Sequence, residues 1–456
     1  MRLRKVHVLA GVAIAVLLFL LVQLRLGAIA RDVHADRDTD HVKSRHLSGQ
    51  TVYGNIRQFT ELMNENSILV FLIDPQVLHH FTTNITLLPW RCRSACPATK
   101  VTAFGVLGQL WKPKGSQLTK LHANGFHIGY FTENDPTVLA VNNTSKPPLI
   151  PTHYVFERDG HMIQLVVFYE RGSGSYWWHG KIGEPQEMHG DKEAMVSPTE
   201  LPFGQQAGAY DRIATIKLTI NGLRLRIPRN TQQTLQQIVQ SRFIECDYAR
   251  ARSFYTKHGL PSNENADNFV ESAKKLLSHA KHTLDKLGIR FWLSSGTCLG
   301  WFRQCAIIPH SKDVDIGIWI KDYDIRLIPA MQTEGIPIRQ QFGKVSDSFE
   351  LSFQGGDTKL DVFFFYEEES YMWNGGTQAR TGKKFKYLFP KFHVCWTEFL
   401  SMKVRVPCET QSYIEANYGT NWFEPVTTWD WKKSPPNVRE NGQWSKDEWT
   451  DVIKLY

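Results

Sequence analysis

Hydrophobic residues change their pattern several times along this 456-residue chain. The first pattern is an unbroken apolar run at residues 8–22, preceded by basic residues. Extended to residues 6–26, the run is long enough to cross a thin bilayer and predicts a signal-anchor helix behind a cytoplasmic tail at 1–5. A cleavable signal peptide ending near residues 28–30 is the alternative, and both interpretations place the rest of the chain in the secretory lumen.

Short apolar runs separated by turn residues then predict a sheet-rich N-terminal domain at residues 51–260, behind a polar stem at 27–50. Two hairpins are nearly explicit, because Asp159-Gly160 and Asn221-Gly222 each separate two apolar runs and supply the positive φ of a tight turn. Other apolar runs predict strands at residues 68–73, 101–107, 126–131 and 138–141.

Helices and strands alternate in the second half of the chain. A helix capped by Asn230 or Thr231 is predicted to run to about Cys246, and a second, over residues 267–287, is ended by Gly288. Strands are predicted at residues 290–293, 314–320, 336–342, 349–353 and 359–366. We therefore predict an α/β (α+β) protein whose C-terminal mixed-sheet domain spans residues 261–456.

Composition and glycosylation patterns agree with a globular lumenal protein. Hydrophobic residues make up 42% of the chain, and the net charge of +8 is scattered instead of forming a basic stripe, which argues against a nucleic-acid partner. Asn84, Asn142 and Asn143 each begin an Asn-x-Ser/Thr acceptor triplet. We predict that they are glycosylation sites.

The chain has seven cysteines, so at least one is free or paired between chains in an oxidising lumen. This odd number permits a homo-oligomer without requiring one. A zinc site built from Cys92, Cys96, Cys395 and Cys408 is an alternative to disulfides, but the spacing and the lack of a flanking His pair favour disulfides or buried thiols.

A possible phosphate-binding turn follows the strand predicted at 290–293. Ser295, Gly296 and Thr297 lie between this strand and a predicted helix. Backbone N–H groups at the start of a helix have no partner within the helix and can bind phosphate oxygens. The turn alone is weak evidence for function.

Asp313 and Asp315 sharpen the prediction because residues two apart on a strand project from one face. Both carboxylates can bind one hard cation or bridge two, and an all-oxygen site suits Mg²⁺ and Mn²⁺ equally. Asp361 lies in a Phe- and Val-rich strand, where an unpaired buried charge is costly, so we predict it as a third metal ligand. These three aspartates are the predicted catalytic residues.

The segment Ser-Gly-Thr-x-Leu-Gly at 295–300, with Arg303 and the Asp-x-Asp-Ile-Gly motif at 313–317, resembles the LicD-like phosphotransferases, a branch of the nucleotidyltransferase fold. The resemblance covers about residues 289–422 and includes a Tyr-Gly pair at 418–419. It implies a metal-dependent enzyme that moves ribitol 5-phosphate from CDP-ribitol to the O-mannosyl glycan of α-dystroglycan in the Golgi membrane and releases CMP. Other enzymes of this glycan are implied partners.

The chain departs from the bacterial pattern of that family just before the aspartate pair. Ala306 replaces a glycine, His310 replaces a tryptophan, and Ser311-Lys312 stands where acidic residues are usual. We predict that His310 and Lys312 contact the donor, with Arg303 as a second phosphate clamp.

Two other functions also agree with parts of the sequence. Lumenal glycosyltransferases use an Asp-x-Asp motif to hold a metal and a UDP-sugar, but there the motif normally follows several βα units. A non-catalytic glycoprotein-binding scaffold is the second alternative. Six C-terminal tryptophans are able to stack on sugars, but aromatic packing in the core or a lid is the favoured explanation, so no site is assigned to Trp396, Trp422, Trp429, Trp431, Trp444 or Trp449.

Overall fold

Two large mixed β-sheets with helices packed around them make up a computed structural model of the chain. The structure describes residues 47–82, 100–111, 115–141, 147–189, 198–220, 222–259, 264–426 and 428–456. Residues 49–456 form one compact unit. The predicted division between residues 260 and 261 stays a prediction.

The helices differ greatly in length, and most of them flank the sheets. They are α1 (Gly49–Glu65), α2 (Pro75–His80), α3 (Gly115–Ala123), α4 (Pro136–Val141), α5 (Thr231–Val239), α6 (Tyr248–His258), α7 (Glu264–Leu287), α8 (Ser295–Gln304), α9 (Leu327–Thr333), α10 (Thr410–Tyr418) and α11 (Trp449–Val452). Short 3₁₀ turns lie at Pro198–Glu200, Ile320–Asp322 and Lys446–Glu448.

The N-terminal half contains one large sheet and one hairpin. Its strands are β1 (Phe71–Leu72), β2 (Val101–Leu107), β3 (His127–Asn134), β4 (Leu149–Arg158), β5 (His161–Arg171), β6 (Tyr176–His179), β7 (Glu184–His189), β8 (Gly208–Asp211), β9 (Thr215–Ile220) and β10 (Leu223–Pro228). The sheet order is β1-β2-β5-β4-β3-β7, with β6 paired to β5 and β8 to β6, and β9 pairs with β10. Only β2 and β5 are parallel among these described pairs.

The C-terminal half is built around the second sheet. Its strands are β11 (Phe291–Leu293), β12 (Asp313–Trp319), β13 (Ile338–Lys344), β14 (Asp347–Gly355), β15 (Thr358–Glu367), β16 (Tyr371–Gln378), β17 (Lys383–Pro390), β18 (Val394–Phe399), β19 (Met402–Pro407), β20 (Val438–Gln443) and β21 (Ile453–Leu455). The order is β20-β17-β16-β15-β14-β13-β21, with β12 paired to β15 and β11 to β12, while β18 and β19 form a separate hairpin. The parallel pairing of β12 with β15 decides where the site lies.

A single large core packs α7, α8 and α10 against the second sheet. Leu276 and Leu284 of α7, Trp301 of α8 and Tyr413 of α10 are all buried in it. Apolar burial of this kind is the main stabilising contribution to a fold. It also fixes α8, whose first residues approach the aspartates, relative to the strands that carry them.

Charged side chains also connect the two halves. Arg171 of β5 is 6% exposed and binds Glu398 of β18 at 3.1 Å, and it pairs with Glu245 as well. A buried guanidinium requires such partners because an unpaired buried charge is costly.

The cysteines that the structure describes form two disulfides and leave one thiol free. Cys246 pairs with Cys305, Cys395 pairs with Cys408, and Cys298 is a buried free thiol. The alternative of a zinc site with Cys395 and Cys408 as thiolate ligands is therefore wrong. The favoured prediction of disulfides or buried thiols is confirmed for the described cysteines. Cys92 and Cys96 lie outside the described residues.

Both predicted hairpins are confirmed. Asp159 and Gly160 have φ values of 52° and 77°, and Gly222 has a φ of 79°. The helix over 267–287 is also confirmed, with three more residues at its start and Gly288 at positive φ beyond its end. At these positions the turn-forming residues alone predicted the local backbone conformation.

Other predicted elements were wrong in kind or extent. Residues 138–141 belong to helix α4 instead of a strand, because Pro136 begins the helix and the Asp135 side chain accepts a hydrogen bond from Thr137 N. The helix capped by Asn230 ends at Val239, not near Cys246, and α6 follows it. The long first helix, Gly49–Glu65, was not predicted and begins within the expected stem.

Several predictions fall outside the described residues. Within the part of the chain that the structure describes, no helix is both long and apolar enough to span a bilayer. The predicted tail at 1–5 and anchor at 6–26 lie outside that part, as do Asn84, Asn142 and Asn143.

Candidate active site

The three predicted aspartates meet on two neighbouring strands. Strands β12 and β15 run parallel, with Asp313 opposite Lys359 and Asp315 opposite Asp361. Side chains alternate between the two faces of a strand, so Asp313, Asp315 and Asp361 share one face. One oxygen from each of the three carboxylates lies within 4.8 Å of the others. The structure thus brings together residues that are 46 and 48 positions apart in the sequence.

Burial makes this cluster of like charges electrostatically costly. Asp315 and Asp361 are 6% and 5% exposed. Burial and the charges of Asp313 and Asp361 raise the pKa of Asp315 well above its ordinary value. Burial, with the Asp361 charge adding to it, also raises the pKa of Asp313. Lys359 offsets part of this charge through a salt bridge to Asp361 at 2.7 Å.

The residues present fit a divalent cation. Two oxygens that bind one ion at 2.0–2.6 Å each lie no more than about 5 Å apart, and the observed separations are within 4.8 Å. Burial and mutual repulsion raise the pKa values of Asp313 and Asp315, a cost that a bound cation would relieve, and all of the donors are hard oxygen atoms. Asp313, Asp315 and Asp361 are therefore the residues that would hold such an ion.

The first turn of α8 supports Asp315 directly. Gly296 N donates to Asp315 Oδ2 at 2.9 Å, and Asp315 N donates to Thr297 Oγ1 at 2.8 Å. The Gly296 N–H was expected to be free for phosphate, but it is bonded to a carboxylate. Ser295, at a φ of 39°, starts the helix in the left-handed region.

Two hydroxyl groups orient the other carboxylates. Ser311 Oγ donates to Asp313 Oδ1, and Ser352 Oγ of β14 donates to Asp361 Oδ1, both at 2.6 Å. Hydrogen bonds of this kind stabilise the charged form of a carboxylate and restrict its rotamer. The three aspartates are thus held in place before any ligand binds.

We expect Gly296→Ala to lower the catalytic efficiency of the protein about tenfold, because displacing reacting groups by tenths of an ångström is costly. A Cβ at residue 296 would lie 3.2 Å from Asp315 Oδ2, so this carboxylate must move by a few tenths of an ångström, whereas Ser311 Oγ at 3.6 Å stays in ordinary van der Waals contact. Steady-state kinetics with a thermal melt would measure this. Gly54→Ala, where a Cβ meets nothing within 4 Å, is the control. Equal activity of Gly296→Ala and wild type would contradict the expectation.

The aspartates open into a cavity of about 610 Å³ over one face of the second sheet. The floor comes from β12–β17, and the chain after α10 forms the roof, with Trp422, Trp429 and Trp431 among its residues. Of the six tryptophans left without a site, these three line the cavity, whereas Trp396, Trp444 and Trp449 are not among its lining residues. A volume of this size is typical of small-molecule sites.

Arg303 of α8 also lines the cavity and is 4% exposed. Its Nη2 donates to Gln304 Oε1 at 2.8 Å, and its guanidinium lies 4.4 Å from the centre of the Phe254 ring. No carboxylate in the described residues forms a salt bridge with it, and burial lowers its pKa to about 10. A buried guanidinium without an anionic partner is suited to bind an anionic ligand.

The other predicted contacts lie at different depths. Ser295, Gly296 and His310 line the cavity, and His310 is exposed. Thr297 is buried behind Asp315 and acts on its backbone, so it does not face a ligand. Lys312 is exposed at a φ of 66° and is not among the lining residues. Its predicted donor contact stays a prediction.

Sequence reasoning missed several polar residues of the cavity, among them Glu350, Asn374 and Tyr418. Tyr418 appeared only as part of a family motif, and burial together with the Asp315 charge raises its pKa well above the ordinary value. Glu350 and Asn374 come from β14 and β16, which carry no recognisable motif. A carboxylate within the apolar run at 349–353 was the one available signal for Glu350.

Glu350 is expected to make the stability of the metal-free protein depend on pH. Burial, with the Asp361 charge adding to it, raises its pKa to about 8 from an ordinary 4.5. The folded chain therefore binds this proton more tightly than the unfolded chain, and the free energy of unfolding falls as pH rises from about 4.5 to about 8. Glu350→Gln should remove about 1–3 kcal/mol of that decrease for this half-buried group.

Denaturant unfolding of the metal-free protein at pH 5 and pH 8 would measure this difference. Exposed Glu369 provides a control variant, Glu369→Gln, which should retain the wild-type pH dependence. If Glu350→Gln lost as much stability as wild type between the two pH values, the predicted titration would be wrong.

Comparisons with known proteins agree along the length of the chain. A family model described as Fukutin N-terminal matches residues 1–274, and one described as LicD/FKTN/FKRP, nucleotidyltransferase domain, matches residues 288–409. Human ribitol-5-phosphate transferase FKTN is 48% identical over 414 residues, which cover 89% of each protein. The mouse protein of that name is 47% identical over 415 residues, again 89% of each.

A more distant relative matches a smaller part of the chain. An uncharacterized Caenorhabditis elegans protein is 26% identical over 245 residues, which are 51% of this chain and 61% of that protein. The second family model covers the strands that carry all three aspartates, and the first covers the N-terminal sheet. The chain therefore belongs to the fukutin family of LicD-type transferases.

Proposed function

We propose that the chain transfers ribitol 5-phosphate from CDP-ribitol to a glycan hydroxyl of a glycoprotein and releases CMP, in a reaction that requires a divalent metal. The human and mouse relatives that match 89% of the chain are named ribitol-5-phosphate transferases. The cluster of Asp313, Asp315 and Asp361 at the edge of a cavity of about 610 Å³ is the observation that carries the proposal.

Attack of the acceptor hydroxyl on the ribitol-bearing phosphorus forms one P–O bond, breaks the anhydride bond to CMP and releases the hydroxyl proton. Negative charge develops on the phosphate oxygens during this exchange. A divalent cation held by Asp313, Asp315 and Asp361 would supply Lewis-acid neutralisation of that charge. Arg303 and Lys359 provide fixed positive charge on the cavity wall, and Ser311 and Ser352 hold two of the carboxylates in position.

The same proposal includes an acceptor glycan, a cellular location and partner proteins. We assign the O-mannosyl glycan of α-dystroglycan as the acceptor and the Golgi membrane as the location, with a type II anchor at residues 6–26 and a lumenal catalytic domain. Fukutin-related protein and other enzymes of this glycan are the proposed partners, together with a second copy of the chain. The apolar run at 8–22 and the fukutin-type N-terminal match support this part.

The full-length chain in detergent should release CMP from CDP-ribitol only when a divalent metal and an O-mannosyl glycan acceptor are both present. CMP release is measured with CDP-ribitol and separately with UDP-sugars, with and without a chelator. Transfer of a sugar from a UDP-sugar would favour the glycosyltransferase alternative. Acceptor binding without turnover of either donor would favour the non-catalytic scaffold.

A further inference from the structure

Asn374 of β16 has a buried side-chain oxygen without a hydrogen-bond partner, at the wall of the cavity. The residue is 4% exposed, lines the cavity, and its Oδ1 has no hydrogen-bond partner in the described structure. Buried polar groups are almost always hydrogen-bonded, because leaving one unpaired is costly. A ligand group in the cavity would remove this cost.

The strand register places Asn374 on the same face as the metal-binding carboxylates. Asn374 lies opposite Phe365 of β15, which is four residues after Asp361. Alternation along a strand puts residues 361, 363 and 365 on one face, and directly opposed residues share a face. The amide and the carboxylates are thus parts of one surface, so a single extended donor can reach both.

The surroundings of Asn374 are flat and aromatic. Tyr387 is its opposite neighbour on β17, and Phe363 and Phe389 also line the cavity. Gly376 lies two residues further along the same face, where a Cβ would come to 3.2 Å from Cζ3 of Trp431. The missing side chain therefore lets the Trp431 indole approach the strand beside Asn374. Such walls favour a planar ring over a flexible polyol, which needs many hydrogen-bond partners.

We propose that Asn374 is a specificity-determining residue that binds the cytosine base of the donor, with the base packed against the aromatic wall that includes Trp431. Cytosine presents an amine donor beside a ring-nitrogen acceptor along one edge. A carboxamide offers an acceptor and a donor side by side, so one Asn side chain matches both groups. This inference rests on the proposed function, since it assumes a cytidine-containing donor.

The test measures the binding of CDP and of ribitol 5-phosphate to the full-length chain in detergent with MgCl₂, by titration calorimetry. Asn374→Leu keeps the size of the side chain and removes its hydrogen bonds, so we expect CDP to bind about 10–100-fold more weakly and ribitol 5-phosphate to bind as before. Asn437→Leu is the matched control, because Asn437 also has a buried Oδ1 without a partner but is not among the residues that line the cavity.

A second measurement begins with the wild-type chain, so its first comparison does not depend on whether a variant folds. The diphosphate of 2-pyrimidinone riboside, which lacks the cytosine amine, should bind the wild-type chain about tenfold more weakly than CDP. In Asn374→Leu the two ligands should bind equally.

The outcomes separate the inference from the proposed function. If wild type bound CDP and the 2-pyrimidinone analogue equally, or if Asn374→Leu bound CDP as wild type does, the inference about Asn374 would be wrong. The proposed function would not be affected. Loss of ribitol 5-phosphate binding with CDP binding retained overturns the base assignment and places the polyol at Asn374. Failure of the wild-type chain to bind CDP overturns the donor assignment together with the inference that depends on it.

Discussion

Asp315→Asn is expected to lower CMP release from CDP-ribitol about 1,000-fold or more, because neutralisation of phosphate charge by a held cation contributes several kcal/mol to such reactions. The substitution preserves shape, since an amide oxygen at this position can still accept the hydrogen bond from Gly296 N. It removes one charge from a cluster whose members lie within 4.8 Å of one another. The cluster then has one anionic ligand fewer.

The same variant should be more stable than wild type when metal is absent. Folding raises the pKa of Asp315 through burial and the neighbouring carboxylates. The free energy of unfolding of wild type therefore falls as pH rises above the ordinary value of 3.8 toward the raised one, and Asn removes this loss. A purely structural aspartate would behave oppositely, because its removal would break stabilising contacts.

Thermal melts with and without MgCl₂ or MnCl₂, alongside steady-state kinetics, test both parts. Wild type should melt at a higher temperature with metal, as a ligand that binds only the folded state requires, and Asp315→Asn should lose most of that increase. Asp74→Asn is a matched control, because Asp74 is also buried, at 2% exposed, but caps helix α2 away from the cavity. A metal response of Asp315→Asn equal to that of wild type would contradict the metal-site assignment.

The part of the site that sequence reasoning predicted is the part encoded by local spacing. Asp313 and Asp315 share a strand face because they are two residues apart, whatever the rest of the fold. Asp361 was recognised because a carboxylate in an apolar strand needs a partner. The parallel register that sets Asp361 beside Asp315 is a property of the sheet, and no short-range pattern specifies it.

Glu350 and Asn374 show where such reasoning stops. Each lies on a strand joined to β15 by a short hairpin, so both come near Asp361 locally, but only the long-range parallel pairing of β12 with β15 brings them near Asp313 and Asp315. The helix at Pro136–Val141 shows a different limit, since a four-residue apolar run has no period of its own and the preceding Asp-Pro pair decided its structure. The hairpin turns succeeded because Asp-Gly and Asn-Gly act locally.

Arg303→Met is expected to weaken CDP binding about 10–100-fold, the effect of losing a charge-assisted contact to phosphate. Burial lowers the pKa of Arg303 to about 10 from an ordinary 12.5, so the fold carries the cost of a cation that has no anionic partner among the described residues. Met retains an unbranched apolar stem that can pack against Phe254. The melting temperature of the ligand-free variant should therefore equal or exceed that of wild type.

Titration with CDP and with cytidine distinguishes a phosphate contact from a general disturbance of the cavity. CDP should lose affinity in Arg303→Met, whereas cytidine, which has no phosphate, should bind as it does to wild type. Arg405→Met is a matched control, since burial also lowers the pKa of Arg405 to about 10 and its guanidinium stacks 3.7 Å from the Trp396 ring centre, but it does not line the cavity. If Arg303→Met melted several degrees lower and bound CDP normally, Arg303 would be a structural residue, and the positive charge opposite the donor phosphates would have to come from Lys359.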